Sequence, residues 1–174
     1  FAYSDGKGLW IVDQHAAHER IRYEKLRRPS NQSLSTFLFP KQIRLSPAAF
    51  NTLKENMSWL KKFIDIDVFG ENTFVVRALP DFLNQVDLQG LLYDLAKTIQ
   101  DGTGKTPIEE LKDDVLKTMA CHSSIRGNRR LSREELLGLL MELKEMEDPD
   151  HCPHGRPTRI KLDLKELRRL FKRQ

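Results

Sequence analysis

Apolar residues recur along this 174-residue chain with two different periods, and the change between them points to a fold that mixes helices with strands. Phe63, Asp65, Asp67 and Phe69 alternate with Ile64, Ile66 and Val68, and Ile160, Leu162 and Leu164 alternate with polar residues. Phe50, Leu53, Met57 and Leu60 instead repeat at helical spacing, as do Ile108, Leu111, Val115, Leu116, Met119 and Ala120. The patterns predict strands over 8–12, 63–69, 73–77 and 160–164, with a turn at Gly70-Glu71-Asn72. They predict helices over 14–28, 47–63 and 88–100, a helix opened by the capping box Thr106-Pro-Ile-Glu109, another over 133–146 opened by Ser132-Arg-Glu-Glu135, and a short basic helix at the end. Residues 29–35 and 147–157 read as loops, 101–105 as a linker, and 36–40 as a short apolar run ending in proline.

The net charge of +4 is unevenly placed. Residues 120–174 hold 13 Lys and Arg against 9 Asp and Glu, whereas residues 1–119 hold 16 of each. This is a modest footprint for a polyanion, or a solvated basic tail. Two cysteines, Cys121 and Cys152, do not make a disulfide framework; in a reducing compartment they are ligands or inert thiols. Residues 1–12 lack the basic start and long apolar run of a signal peptide, and no stretch is long enough to span a membrane. The chain opens directly on a strand pattern, as a piece of a longer protein would.

Three constellations can carry chemistry. In Asp13-Gln-His15-Ala-Ala-His-Glu19, His15 and Glu19 are four residues apart, so on a helix they project from one face and can hold a metal ion. Asp13, at the strand-to-helix corner, can turn to the same place; the plain alternative is an N-cap aspartate beside a solvated histidine. Cys152-Pro-His154-Gly-Arg156-Pro157 puts a thiol and an imidazole in a loop stiffened by two prolines, which suits a zinc-like ion. Cys121, in Ala120-Cys121-His122, ends an apolar helical stripe and reads as a ligand or as a buried thiol. No two-cysteine knuckle exists, so a metal site here is assembled by the fold from distant segments. Gly102-Thr-Gly-Lys-Thr106 is a decoy, because Ile99 stands where a phosphate loop has its first glycine.

Taken together, DQHAAHERIRYE (13–24), ACHSSIRGNRRLS (120–132) and CPHGRPT (152–158) resemble the signature motifs of the C-terminal endonuclease-bearing domain of the MutL family of DNA mismatch-repair proteins. They occur in the family's order, and Asp13, Gln14, His15, Ala16, Glu19 and Glu24 match the first motif in full. The resemblance implies an α+β fold in which a dimerisation subdomain is built from both chain ends, 1–44 and 118–174. A smaller α/β regulatory subdomain, 45–117, is inserted between them. It also implies metal-dependent nicking of one strand of duplex DNA, with manganese (Mn2+) as the activating ion and zinc (Zn2+) able to occupy the same site. The family's ligands carry over to Asp13, His15, Glu19, Cys121, Cys152 and His154. Asp13, His15, Glu19 and Arg156 then serve catalysis, with Arg156, and Arg126 or Arg129, holding the phosphate. Glu19 is the bridge if two ions are bound. Glu24, about 140° round the helix from Glu19, and His122 support the ligands from behind.

The implied partners are double-stranded DNA, a second copy of the chain and MutS-type repair proteins, acting at the nucleoid in a bacterial cytoplasm. An ATPase is expected in the missing N-terminal part. A sliding clamp is a further partner. Its docking motif has Gln first, an aliphatic fourth and Pro sixth; here Leu38 and Pro40 fit, and Ser35 stands in place of Gln. Phe37, Leu38 and Pro40 are therefore clamp-docking residues or, equally, part of a core strand. The segments 9–12, 134–146 and 160–164 supply more apolar face than one subdomain covers, which points to a homodimer. The alternative function is a catalytically inactive dimerisation module with a structural or regulatory zinc, since the same ligands serve both.

Overall fold

Two antiparallel sheets and seven α-helices are formed by the described residues, 1–28, 33–124 and 131–172 of a computed structural model, so the fold is α+β as the two periodicities require. The chain divides into two compact units, Phe1–Ile21 with Arg126–Gln174, and Arg22–Ile125. The division falls inside the helix α1 (Gln14–Arg27), which Asp13 starts by accepting the backbone N–H groups of His15 (2.8 Å) and Ala16 (3.1 Å).

The first unit is built on β1 (Ala2–Ser4), β2 (Gly8–Val12) and β6 (Arg159–Asp163), in the order β1-β2-β6. The central strand sets Trp10 beside Tyr3 and Lys161 on one face, and Ile11 opposite Ile160 and Leu9 opposite Leu162 on the other. Val12, Ala17 and Ile21 pack with Leu139, Leu140 and Leu143 of α6 (Arg133–Lys144) to form the core. The capping box that opens α6 is as the sequence predicts, with Ser132 and Glu135 each accepting the other's backbone N–H. A second box, Asp163 with Glu166, starts α7 (Leu164–Leu170) and removes Leu164 from the predicted strand, because its backbone is already helical. The three-residue β1 is too short to show a sequence period; its pairing with β2 creates it.

The second unit contains the sheet β3 (Leu34–Arg44), β5 (Thr73–Pro80), β4 (Asp65–Val68), with β5 in the middle. Gly70 (φ 74°) and Asn72 (φ 51°) take the left-handed conformations that the turn between β4 and β5 needs. Phe74 is buried with its ring 4.7 Å from that of Phe50 on α2 (Pro47–Glu55). The single helix expected over 47–63 is two, α2 and α3 (Met57–Leu60). Asn56 interrupts them: its side-chain amide donates to the carbonyl of Thr52 and its backbone N–H turns to Leu53. Leu91, Leu92 and Leu95 of α4 (Leu88–Gly102) and Val115 and Met119 of α5 (Ile108–Ser124) complete the core. The Tyr23 hydroxyl donates to Asp113 on α5, which also pairs with Lys117 at 2.9 Å. Burial pushes the Asp113 carboxyl up, but the bonds from Tyr23 and Lys117 outweigh it and hold it below its ordinary value. Burial and the same bond push Tyr23 up.

The segment 36–40 differs from the core strand it resembles. It lies within the eleven-residue β3, where the ladder to β5 breaks between Thr36 and Lys41. Proline 40 has no N–H to donate to a ladder, which favours such a break. Phe37 packs against the core, while Leu38 is 89% and Phe39 77% exposed.

Candidate metal centre

By sequence α1 is a polar helix, yet its buried side includes Glu19, Arg20 and Glu24 as well as Ala16, Ala17 and Ile21. Charged residues are buried to this extent only when they are paired or hold an ion. Glu19, 4% exposed, is approached from two sides. His15 Nε2 lies 3.1 Å from its Oε1 and His154 Nδ1 lies 3.7 Å from its Oε2. Cys152, 1% exposed, completes a trio with Glu19 and His154 whose ligand atoms all lie within 4.8 Å of one another.

The loop that carries Cys152 and His154 is tightly folded. Cys152 N–H donates to Arg156 (2.8 Å), Gly155 N–H donates to Cys152 (2.9 Å), and His151 bridges to Pro157. Gly155, with φ 79°, takes the left-handed turn that brings the chain back on itself. At the far end, fully buried Thr158 donates its N–H to Asp150 and accepts the N–H of Asp13 through its carbonyl (2.8 and 2.9 Å). At the near end, Arg20 reaches the carbonyl of His151 and the carboxylate of Asp148.

A carboxylate, a thiol and an imidazole that converge at one place are a donor set for zinc or a comparable divalent ion, the carboxylate and imidazoles serving manganese as well. His15 and His154 lie about half open to solvent, which leaves one side of the group approachable.

A family model described as the MutL C terminal dimerisation domain matches residues 2–131. The chain belongs to the MutL C-terminal domain family. Similar relatives are the DNA mismatch repair proteins MutL of Thermodesulfovibrio yellowstonii (38% identical over 95% of this chain), Ralstonia nicotianae (37% over 97%) and Bradyrhizobium sp. strain BTAi1 (39% over 96%). The chain spans 31%, 27% and 28% of the length of these three MutL proteins.

In this MutL domain the residues expected at the site fall into three groups. Glu19, Cys152 and His154 are brought together, and His15 joins them at Glu19. Asp13 is outside the trio, with its Oδ1 committed to the helix start; Arg156 is exposed on the loop. Cys121, His122 and Glu24 belong to the second unit. There Glu24 is buried with Arg28 3.9 Å away, and His122 Nε2 lies 2.8 Å from Asp94 Oδ2 of α4. Arg126 and Arg129 lie outside the described residues. Arg20 and Asp148 were not singled out by the motifs. The available signal was a charged residue at position 20, within the stripe 16, 17, 20, 21 that is otherwise apolar.

Proposed function

We propose that this MutL domain is a metal-dependent endonuclease that nicks one strand of duplex DNA, and that it acts as a homodimer. The observation that carries the nuclease reading is the buried Glu19 carboxylate held within 4.8 Å of Cys152 and His154, with His15 alongside. Glu19, Cys152, His154 and His15 would hold the ion, with Asp13 as a further member of the set. Manganese is the activating ion and zinc an alternative occupant. When bound, the ion lowers the pKa of a water and neutralises charge on a phosphodiester. The chain's own share is to fix the donors on a helix and a closed loop, and to offer Arg156, exposed beside the ligands, as a fork for phosphate oxygens. The partly open imidazoles favour this reading over a closed structural zinc, whose four positions are filled by protein.

The family description is of a dimerisation domain. The sheet face of Ile11 and Ile160, exposed and directly paired, with Leu164, Leu170 and Phe171 exposed on and just after α7, is the surface a second copy would cover. Leu38 and Phe39, exposed where β3 leaves its ladder, support weak docking on a sliding clamp. MutS-type proteins, an ATPase elsewhere in the longer protein, and action at the bacterial nucleoid belong to the same proposal. Among the described residues no helix is long and apolar enough to cross a membrane.

The test is nicking of supercoiled plasmid with manganese present or withheld. Manganese-dependent nicking that disappears in Cys152→Ala supports the proposal; no nicking by a folded, metal-loaded parent leaves the inactive dimerisation module as the better account.

A further inference from the structure

We propose that Arg20 is a positioning residue that sets the Cys152–His154 loop against Glu19, and so determines how tightly the metal centre binds its ion. This inference rests on the reading of Glu19, Cys152 and His154 as ligands.

The loop is held to α1 at both ends, by different means. At the Thr158 end the bond runs from the backbone N–H of Asp13 to a backbone carbonyl, so it depends on no particular side chain. At the Cys152 end a side chain of α1, the Arg20 guanidinium, grips the loop, in addition to the approach of His154 to Glu19. Arg20 Nε donates to the carbonyl of His151, the residue immediately before Cys152, and a terminal nitrogen of the same group lies 3.3 Å from Asp148 Oδ2. The other oxygen of Asp148 accepts the backbone N–H groups of Asp150 (3.1 Å) and His151 (3.2 Å). Asp148 is thus a splint, with one oxygen on the helix and the other on the loop. Burial pushes the Asp148 carboxyl up, but the N–H of Asp150, the His151 side chain and Arg20 outweigh it and hold it below its ordinary value.

Arg20 follows Glu19 directly, so the same stretch of helix presents the carboxylate ligand and grips the loop that bears the thiol. The guanidinium is a planar fork that donates in two directions at fixed angles, which a lysine ammonium does not reproduce. Partners hydrogen-bonded to a ligand typically change metal affinity by about 10- to 100-fold, and Arg20, which bonds to the carbonyl one residue before Cys152, is expected at the low end of that range.

The experiment is titration of the full chain with cobalt(II), which reports thiolate ligation through its charge-transfer absorption. It uses the parent, Cys152→Ala, Arg20→Gln, Arg20→Lys, Asp148→Asn and, as a stability control, Leu143→Val in the core of the same unit. Arg20→Gln should bind cobalt about 10-fold more weakly than the parent, with a weakened thiolate band and an unchanged far-ultraviolet spectrum. Arg20→Lys should lie between the two. Asp148→Asn should weaken binding in the same direction, and a variant that combines Arg20→Gln with Asp148→Asn should be no worse than Arg20→Gln, because the two act as one unit. Leu143→Val should lower the melting temperature without changing cobalt affinity. Parent-like affinity in Arg20→Gln overturns the inference while leaving the metal centre standing; so does an equal loss of affinity in Leu143→Val. If Arg20→Gln fails to fold, Asp148→Asn decides alone, and parent-like affinity there overturns it. A parent with no thiolate band that Cys152→Ala removes overturns the metal reading and this inference together.

Discussion

His15 Nε2 lies 3.1 Å from Glu19 Oε1, one helical turn apart on α1. That spacing is a property of the helix, so the pair is preformed before any ion arrives. Neutralising the carboxylate tests the centre at its middle. Glu19→Gln, which keeps the shape, is expected to slow manganese-dependent plasmid nicking by at least about a hundredfold, about 2.7 kcal/mol of barrier. Its thermal unfolding should stay close to the parent's. A nicking rate within a few-fold of the parent's would remove Glu19 from the ligand set.

Tyr23 and Asp113 give a pH signature. The folded value of Asp113 is depressed, so its contribution to stability is complete above the ordinary aspartate value of about 3.9 and is lost as pH falls through the lowered folded value. The folded value of Tyr23 is raised. Its contribution is complete below about 10 and is lost as pH rises through the folded value. Tyr23→Phe is expected to cost about 1–3 kcal/mol at neutral pH and to flatten the acid limb of a urea-unfolding series. An acid limb as steep as the parent's would place the depression of Asp113 elsewhere.

Ile11 and Ile160 face each other across β2 and β6 on the exposed side of the first sheet. Lysines on both would set like charges opposite each other on any face covered by a second copy, and like-charge juxtaposition there costs several kcal/mol. Sedimentation at micromolar concentration is expected to give a dimer for the parent and a monomer for Ile11→Lys with Ile160→Lys. A dimeric double variant would move the interface off this sheet.

Leu38 and Phe39 separate docking from stability. Both side chains are exposed, so Leu38→Ala with Phe39→Ala should change unfolding free energy by no more than about 0.5 kcal/mol. If the pair docks on a sliding clamp, the variant should lose clamp stimulation of nicking while its clamp-free rate is unchanged. Equal stimulation of parent and variant would make the segment an ordinary surface strand.

The local features were legible in the sequence because their physics is local. The i, i+4 pairing of His15 with Glu19, the Ser132–Glu135 capping box and the hairpin turn at 70–72 each depend on a few consecutive residues. The Cys152–His154 motif was visible as a stiffened loop, but its distance from Glu19 was not. Other features were settled by partners far along the chain. Three-residue β1 exists only because β2 pairs with it, and exposure of Leu38 follows from a break in a ladder whose other strand starts at Thr73. Arg20 is the clearest case. Its partners, Asp148 and His151, lie 128 and 131 residues away, and no period or motif encodes such a contact. A pattern in sequence reports which face of an element is apolar; only the packed chain determines which buried charge meets which carbonyl, because that choice is made by the geometry of two elements at once.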